Sequence, residues 1–165
     1  MLIHQCLSDY YGAYRALEDL YDAGKIRAIG ISNFSAERIA DIATFNRIVP
    51  AVNQVETHLF WQQYDLHEWM AKYNIQHEAW GPLAQHRLKE ILESPIVQQI
   101  ADVHGKTPAQ VALRQHVQRG IVVIPKSVHK ERMKQNLDIF DFELTNDEME
   151  QLKTLDENKS MWAEY

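Results

Sequence analysis

Short apolar runs alternate with longer amphipathic segments along this 165-residue chain. The apolar runs predict five strands, at 2–4, 26–31, 51–55, 75–79 and 121–124. They are brief and flanked by Gly, Asn or Pro, as buried parallel strands tend to be. The repeated strand-then-helix order predicts an α/β fold with a parallel sheet and right-handed crossovers. Five such strands fit either an open doubly wound sheet or part of an eight-stranded barrel.

The segments between the strands predict helices at 11–23, 36–45, 66–73, 94–104, 108–119, 130–136 and 146–155. Ser35, Thr107 and Thr145 are the expected N-caps, because each hydroxyl directly precedes a helical pattern. Glu18 and Glu148 are expected to be exposed helix charges.

Bulk composition restricts the class of partner and the compartment. A net charge of −6 argues against general nucleic-acid affinity. The single cysteine, Cys6, excludes an internal disulfide and fits a reducing cytoplasm. No apolar run approaches the ~20 residues of a membrane span, and the N-terminus lacks a signal-peptide pattern. We therefore expect a cytoplasmic protein with neither nucleic acid nor membrane as partner.

Polar or aromatic side chains follow each predicted strand. They are His4, then Ser32 and Asn33, Gln54 with Glu56, Trp80, and Lys126 with Ser127. The carboxyl ends of parallel strands form the active face of α/β proteins. Each residue alone could be a cap, a packing ring or a structural histidine, but five such placements on one face favour a binding site.

The last of these positions continues into a helix. Arg132, Gln135 and Asn136 lie near one face of that helix by three- and four-residue spacing, close to Lys126 and Ser127. Two cations and a serine beside a helix N-terminus favour a phosphate, and the carboxamides could bind the edge of a base. The group predicts a phosphorylated nucleotide as ligand, and the alternative is a solvated helix start.

Other catalytic and metal motifs are absent from the sequence. The histidines show no HExxH spacing and no Cys/His cluster, so no metal site is expected. There is no GxSxG elbow and no Gly-rich P-loop or Rossmann fingerprint. Nucleotide binding must therefore use another arrangement.

Several segments together resemble the aldo-keto reductases of the bacterial type. Residues 23–34 (AGKIRAIGISNF) are similar to the family's middle signature, and residues 124–139 to its C-terminal signature. Residues 52–56 and 78–83 resemble further family blocks, and residues 2–5 resemble the strand that carries the catalytic histidine. The resemblance extends from His4 to about Asp156 and implies a (β/α)8 TIM barrel that binds NADPH without a Rossmann motif.

The resemblance also implies a role for each candidate residue. Ser32, Asn33 and Gln54 would hold the nicotinamide carboxamide, and Trp80 would stack on its ring. The remaining positions are implied to serve the pyrophosphate path (Gly81, Leu83), the 2′-phosphate (Lys126, Ser127, Arg132) and adenine (Gln135, Asn136). His4 would orient or polarise the carbonyl of an aldehyde or ketone during hydride transfer from NADPH, and a tyrosine tuned by a lysine and an aspartate would deliver the proton.

Two departures from the family pattern stand out. Leu59 replaces a proline, which affects substrate choice. The chain also begins at what would be the fourth barrel strand, whereas a TIM barrel has ~250 residues. We therefore expect residues 1–165 to be one truncated, partial-barrel domain, strands 4 to 8, without the family's catalytic Asp, Tyr and Lys. Such a chain should be inactive alone and should self-associate through its open barrel edges. The alternative is a non-catalytic NADPH-binding or interaction module.

Overall fold

The computed structural model describes residues 1–162 of the chain. Five strands form one sheet in sequence order: β1 (Leu2–Ile3), β2 (Gly30–Ser32), β3 (Val52–Glu56), β4 (Gln76–Trp80) and β5 (Val122–Val123). The β1–β2 and β2–β3 pairs are parallel, with Leu2 opposite Gly30 and Ser32 opposite Gln54. A side chain at Gly30 would meet Val52 Cγ1 at 2.6 Å, so this close approach requires glycine. The predicted α/β fold with parallel strands is confirmed.

Eight helices lie between and after the strands in the described part of the chain. They are α1 (Tyr10–Asp22), α2 (Ala36–Phe45), α3 (Tyr64–Lys72), α4 (Leu88–Glu93), α5 (Pro95–His104), α6 (Pro108–Gln118), α7 (Lys130–Leu137) and α8 (Asn146–Lys153). Every predicted helix is present, with ends shifted by at most two residues. A 3₁₀ turn at Gln85–Arg87 and helix α4 were not predicted. The strand predicted at 26–31 is shorter, because its pairing with β1 begins at Gly30.

Two of the three expected N-caps have the predicted hydrogen bonds. The Thr107 hydroxyl accepts from the Gln110 backbone N–H, and Gln110 reciprocates in a capping box. Thr145 and Glu148 form the same reciprocal pair at the start of α8. Ser35 occupies the N-cap position of α2, but its side chain accepts no cap hydrogen bond. Ser35 is therefore the N-cap residue, as predicted, but it does not form the cap hydrogen bond that the other two residues form.

The chain divides into two compact units, each with its own apolar core. The first unit contains residues 1–55 and 63–78, and the second contains residues 56–62 and those from Ala79 onward. The largest buried side chains of the first unit are Tyr14, Ile31, Phe34, Ile39, Ile42 and Met70. Those of the second unit include Leu59, Ile91, Val97, Val111, Leu144 and Leu152.

Two acidic side chains predicted to be exposed are instead covered. Glu18 in the first unit is only 1% exposed, accepts from the Ile48 N–H at 2.8 Å and lies 3.6 Å from Arg47. Glu148 in the second unit caps α8 and contacts His104 Nε2 at 2.9 Å. The exposure predicted for both rests on their charge, and residue type alone does not show which loop or helix covers a helical position.

A fully buried glutamine joins distant parts of the second unit. Gln62 Nε2 donates to the carbonyls of Leu59 and Leu152, at 2.9 and 2.8 Å. Its Oε1 accepts from Gln115 Nε2 at 2.9 Å, and its backbone N–H donates to Asp156 Oδ1 at 3.2 Å. Residues 90 or more positions apart are thereby fixed around one side chain. No helix within residues 1–162 is both long and apolar enough to cross a membrane.

Candidate nucleotide and carbonyl site

Four predicted site residues meet at the ends of β1, β2 and β3 in the first unit; we call His4, Ser32, Asn33 and Gln54 the strand-end group. The Ser32 hydroxyl donates to the Gln54 carbonyl at 2.7 Å, because Ser32 and Gln54 are opposite each other in the ladder. Asn33 Nδ2 donates to Ser32 Oγ and to the His4 carbonyl, both at 3.2 Å. The parallel register therefore brings these four residues together.

The backbone at the end of β2 is held in an uncommon conformation. Asn33 has a φ of 61°, in the left-handed region that asparagine tolerates better than most residues. Its backbone N–H donates to the Gln54 carbonyl at 3.0 Å. A positive φ at a polar strand end is a feature of many binding sites.

Asn53 supports this turn and was not singled out by sequence reasoning. It is fully buried, donates from Nδ2 to the Phe34 carbonyl at 3.0 Å and accepts from the Phe34 N–H at 3.4 Å. One carboxamide thereby satisfies both backbone groups of the residue after Asn33. The available signal was a carboxamide at a buried strand position, where an apolar side chain is usual.

Gln54 is oriented by a charged neighbour. Its Nε2 donates to Glu78 Oε1 at 2.5 Å, which leaves its side-chain oxygen, Oε1, as a hydrogen-bond acceptor. Ser32 is buried, whereas the His4 side chain is exposed after β1. The group can thus present an amide acceptor and an imidazole, while Ser32 and Asn33 direct protons to protein oxygens.

The second unit carries Trp80, Gly81 and Leu83 at the end of β4. The Trp80 carbonyl accepts from the Thr57 N–H at 3.2 Å, and its indole meets the Trp162 ring edge to face, with centroids 5.6 Å apart. Gly81 has a φ of +63°, which lets the chain turn directly after the ring. Leu83 is partly buried against the second unit's core.

Behind this turn lies the fully buried imidazole of His116. Burial lowers the pKa of His116 to about 3, the positive charge of Arg119 adds to the shift, and the Pro82 carbonyl opposes only part of it. His116 is therefore neutral at physiological pH.

The remaining predicted residues lie on the loop after β5 and on α7; we call Lys126, Ser127, Arg132, Gln135 and Asn136 the α7 group. Lys126, Arg132 and Gln135 are exposed, and Ser127 and Asn136 are half-buried. The Ser127 hydroxyl accepts from the His129 N–H at 3.1 Å. The other four side chains make no hydrogen bond or ion pair with any residue in the described range 1–162. The group is a cationic surface on one loop and one helix.

Helix α7 buries none of its side chains, but its C-terminal end, at Asp138, is held by hydrogen bonds to neighbouring side chains. Lys106 Nζ donates to Asp138 Oδ2 at 3.1 Å and to Asp141 Oδ2 at 2.8 Å, and the Lys106 ammonium lowers the pKa of Asp141. Gln110 Nε2 donates to the Asp138 carbonyl at 2.8 Å. These bonds fix the position of α7 while leaving its polar face accessible.

Within residues 1–162, no three His, Cys, Asp or Glu side chains are grouped so that they could hold a metal ion. The candidate site is therefore described by its amides, imidazole, indole and cations.

Fold and site together define an α/β domain with polar strand ends of the kind that bind small ligands. Residues 3–157 match the profile of the Aldo/keto reductase family. The chain is 43% identical over 159 residues to glyoxal reductase of Bacillus subtilis, and 37% identical over 155 residues to methylglyoxal reductase DkgA of Escherichia coli K12. The chain belongs to the aldo/keto reductase family.

Solved structures give the same result. The chain is similar to MGS-M4, an aldo-keto reductase from a deep-sea metagenome library, with a TM-score of 0.94 and 42% identity over 99% of this chain and 61% of that one. Apo Gox0644 matches with a TM-score of 0.92 and 39% identity, over 98% of this chain and 60% of that one. The alignments cover 96% of this chain and 56% of glyoxal reductase, and 94% and 56% for DkgA. The chain thus spans about half the length of the curated relatives it matches.

Proposed function

We propose that this chain is the cofactor-binding portion of an NADPH-dependent oxidoreductase that reduces aldehydes or ketones to alcohols. The observation that carries the proposal is the strand-end group. Its members lie on neighbouring parallel strands, are oriented by hydrogen bonds at 2.5 to 3.2 Å, and belong to a chain of this family. The arrangement favours a planar amide ligand such as a nicotinamide carboxamide.

The strand-end group fits that ligand chemically. Because Gln54 Nε2 donates to Glu78, Gln54 Oε1 is directed to accept an amide N–H. Trp80 would supply an indole for ring stacking, and Gly81 and Leu83 would line the pyrophosphate path. When bound, the cofactor would supply the hydride for the carbonyl carbon, and the alkoxide oxygen would take a proton. His4, exposed beside this group, would orient or polarise the carbonyl.

The α7 group fits a phosphorylated adenosine. Lys126, Arg132 and the Ser127 hydroxyl offer charge and donors for a 2′-phosphate, which NADPH has and NADH lacks. Gln135 and Asn136 offer carboxamides for adenine. Lys126 and Arg132 are exposed and form no ion pair within residues 1–162, so their charge is available to a ligand phosphate. We therefore expect NADPH to bind more tightly than NADH.

The names of the relatives support a proposal for the substrate class. Curated relatives are named as glyoxal and methylglyoxal reductases, and we infer a small reactive aldehyde or ketone for the complete site. Leu59, fully buried at the position where the family has a proline, would alter substrate choice.

We further infer that this chain is a partial (β/α)8 barrel, strands 4 to 8, and is a poor catalyst alone. General acid catalysis is commonly worth ~10²–10⁴ in rate, and the family resemblance assigns the proton-donating tyrosine, its lysine and its aspartate to barrel strands 1 to 3. Open strand edges would then favour self-association. A non-catalytic NADPH-binding or interaction module is the second candidate, favoured by the intact cationic surface of the α7 group.

Calorimetric titration with NADPH and NADH tests cofactor binding. We expect Arg132→Gln to weaken NADPH binding about 10- to 30-fold and NADH binding less than threefold, since a charge-assisted hydrogen bond contributes about 1.5 to 2 kcal/mol. The matched control is Arg27→Gln, an exposed arginine of the first unit. Equal effects of Arg132→Gln on both nucleotides would exclude a 2′-phosphate contact at this residue.

NADPH oxidation with methylglyoxal, beside B. subtilis glyoxal reductase as a positive control, separates the two candidates. An oxidation rate at least about 100-fold below that of the control supports a portion that lacks its general acid. A rate equal to that of the control would contradict this inference, and nucleotide binding with no turnover at all favours the non-catalytic module.

A further inference from the structure

Glu56, at the end of β3, has contacts that the proposed roles of the other residues do not explain. Its side chain is nearly fully buried in the second unit. Oε2 accepts from the Ser160 hydroxyl at 2.5 Å, and Oε1 accepts from the Met161 backbone N–H at 2.7 Å. These partners are 104 and 105 positions away in the chain. One carboxylate therefore fixes residues 160 and 161 at the end of a strand.

A histidine completes this carboxylate's environment. His58 Nε2 lies 2.9 Å from Glu56 Oε1, and His58 Nδ1 accepts from the Phe60 N–H at 3.2 Å. Because Nδ1 is an acceptor, Nε2 carries the proton and donates to Glu56. Burial tends to raise the pKa of Glu56, but the bonds from His58, Ser160 and Met161 outweigh it and lower the pKa. Glu56 is thus a buried, hydrogen-bonded carboxylate.

The segment that Glu56 holds, residues 160–162, lies against Trp80, the residue predicted to stack on a nicotinamide ring. The Trp162 backbone N–H donates to Ser160 Oγ at 3.0 Å, which extends the hydrogen-bonded chain from Glu56 to the residue that carries the next indole. The Trp162 ring meets the Trp80 ring at an interplanar angle of 80°, and Met161 Cε lies 3.8 Å from where a Cβ at Gly81 would be. Residues 160–162 therefore contact both Trp80 and the turn that follows it.

We propose that Glu56 is a positioning residue: through Ser160 and Met161 it holds Trp162 against Trp80, and so fixes the Trp80 indole for stacking on a nicotinamide ring. The proposal rests on the proposed function, since it assigns the ring platform to Trp80. The order of contacts is Glu56 to Ser160, Ser160 to Trp162, and Trp162 to Trp80. Without this support, a half-buried indole must lose its rotational freedom when the ligand binds, at a cost in affinity.

The test uses two ligands that each represent one end of NADPH. Reduced nicotinamide mononucleotide reports on the Trp80 end, and 2′,5′-ADP reports on the α7 group. Ser160→Ala removes the hydroxyl that links Glu56 to Trp162 and keeps the buried Glu56–His58 pair, so it is safer for folding than a change at Glu56. Ser160→Thr restores a hydroxyl, and Ser94→Ala, which removes a serine making no cap hydrogen bond, is the matched control.

We expect Ser160→Ala and Trp162→Ala to weaken binding of reduced nicotinamide mononucleotide about three- to tenfold, since the edge-to-face ring pair no longer holds the Trp80 indole in place. Binding of 2′,5′-ADP should stay within about twofold, and Ser160→Thr should recover most of the loss. The Ser160→Ala and Trp162→Ala spectra should both lose the coupled-indole signal of wild type in near-ultraviolet circular dichroism.

Each other outcome has a defined meaning. Unchanged binding of the mononucleotide in Ser160→Ala would overturn the positioning role. Tighter binding would also overturn it, because it would mean that Trp162 competes with the ligand. Equal losses for both ligands would also overturn it, because they indicate a general structural defect. If Trp80→Ala leaves mononucleotide binding intact, the proposed function of Trp80 fails, which is distinguishable from failure of the Glu56 contact alone.

Discussion

The strand-end group and the α7 group are built in opposite ways. In the strand-end group, polar atoms are committed to other protein atoms: Ser32 to Gln54, Asn33 to Ser32 and His4, and Gln54 to Glu78. In the α7 group, Lys126, Arg132 and Gln135 extend into solvent. The difference teaches that, under the proposed function, binding geometry and binding affinity would come from different residues. The strand-end group would fix the position of a ligand amide, and the α7 group would attract the ligand's phosphate.

Asn53 is not a member of the strand-end group, but it supports the turn at Asn33, so its loss should destabilise the protein more than loss of a carboxamide from the α7 group. Asn53→Ala leaves the Phe34 N–H and carbonyl buried without their partner, so we expect the free energy of unfolding to fall by about 3 kcal/mol. Asn136→Ala removes the same carboxamide from the α7 group and should cost less than about 0.5 kcal/mol. Urea denaturation of both variants measures the difference. Similar losses would remove the distinction between the two regions.

Burial also predicts a pH response. The pKa of His116 is about 3 in the folded protein and near 6.5 when unfolded. The unfolded chain therefore binds the proton first, so stability is complete above pH 6.5 and is lost as pH falls toward 3. Between pH 6.5 and 4.5, His116 should account for a fall of about 2 to 3 kcal/mol in the free energy of unfolding.

The His116→Leu variant isolates that contribution. It should show a shallower pH dependence than wild type, because its unfolded chain has one proton-binding imidazole fewer. The measurement is urea denaturation at pH 6.5, 5.5 and 4.5. Parallel curves for wild type and His116→Leu would show that burial of this imidazole does not suppress its protonation.

The smallest expected effect compares two helix starts. Thr107 accepts a cap hydrogen bond from Gln110, so Thr107→Ala should lower the free energy of unfolding by about 1 kcal/mol. Ser35 makes no cap bond, so Ser35→Ala should cost no more than a few tenths of a kcal/mol. Thermal and urea unfolding of the two variants measure the difference in the free energy of unfolding. A larger loss for Ser35→Ala would show that the conformation of the α2 start differs from the one described.

Local patterns predicted much of this fold. Alternation of apolar and amphipathic segments gave the parallel strands and the positions of seven helices. The positions of Ser32, Asn33 and Gln54 at strand ends predicted that they would lie close together, because the parallel register puts such residues side by side. The roles of the α7 group came from the family resemblance and stay predictions.

The remaining features depend on contacts between distant residues. Glu18 is predicted to be exposed because it is charged, although its spacing from Tyr14 and Leu17 puts it on the buried face of α1; there it accepts from the Ile48 N–H, 30 positions away. The sequence shows Glu56 only as a polar residue near Gln54 at a strand end. Its bonds to Ser160 and Met161 cannot be predicted from the residues around it. Helix α4 was missed because Leu88–Glu93 is short and lies inside a longer connection. Burial of a polar group is decided by its partners, which are not visible in a window of nearby residues.

The Gln62 contacts have a consequence for the order of folding during synthesis. The buried core residues of the first unit all lie at or before Ile75 in the chain. The buried amide of Gln62, in contrast, has no complete set of acceptors until Leu152 has left the ribosome. Because chains emerge and fold from the N-terminus, the first unit can form while the second still has unsatisfied polar groups. That interval is when chaperones would have the most reason to bind.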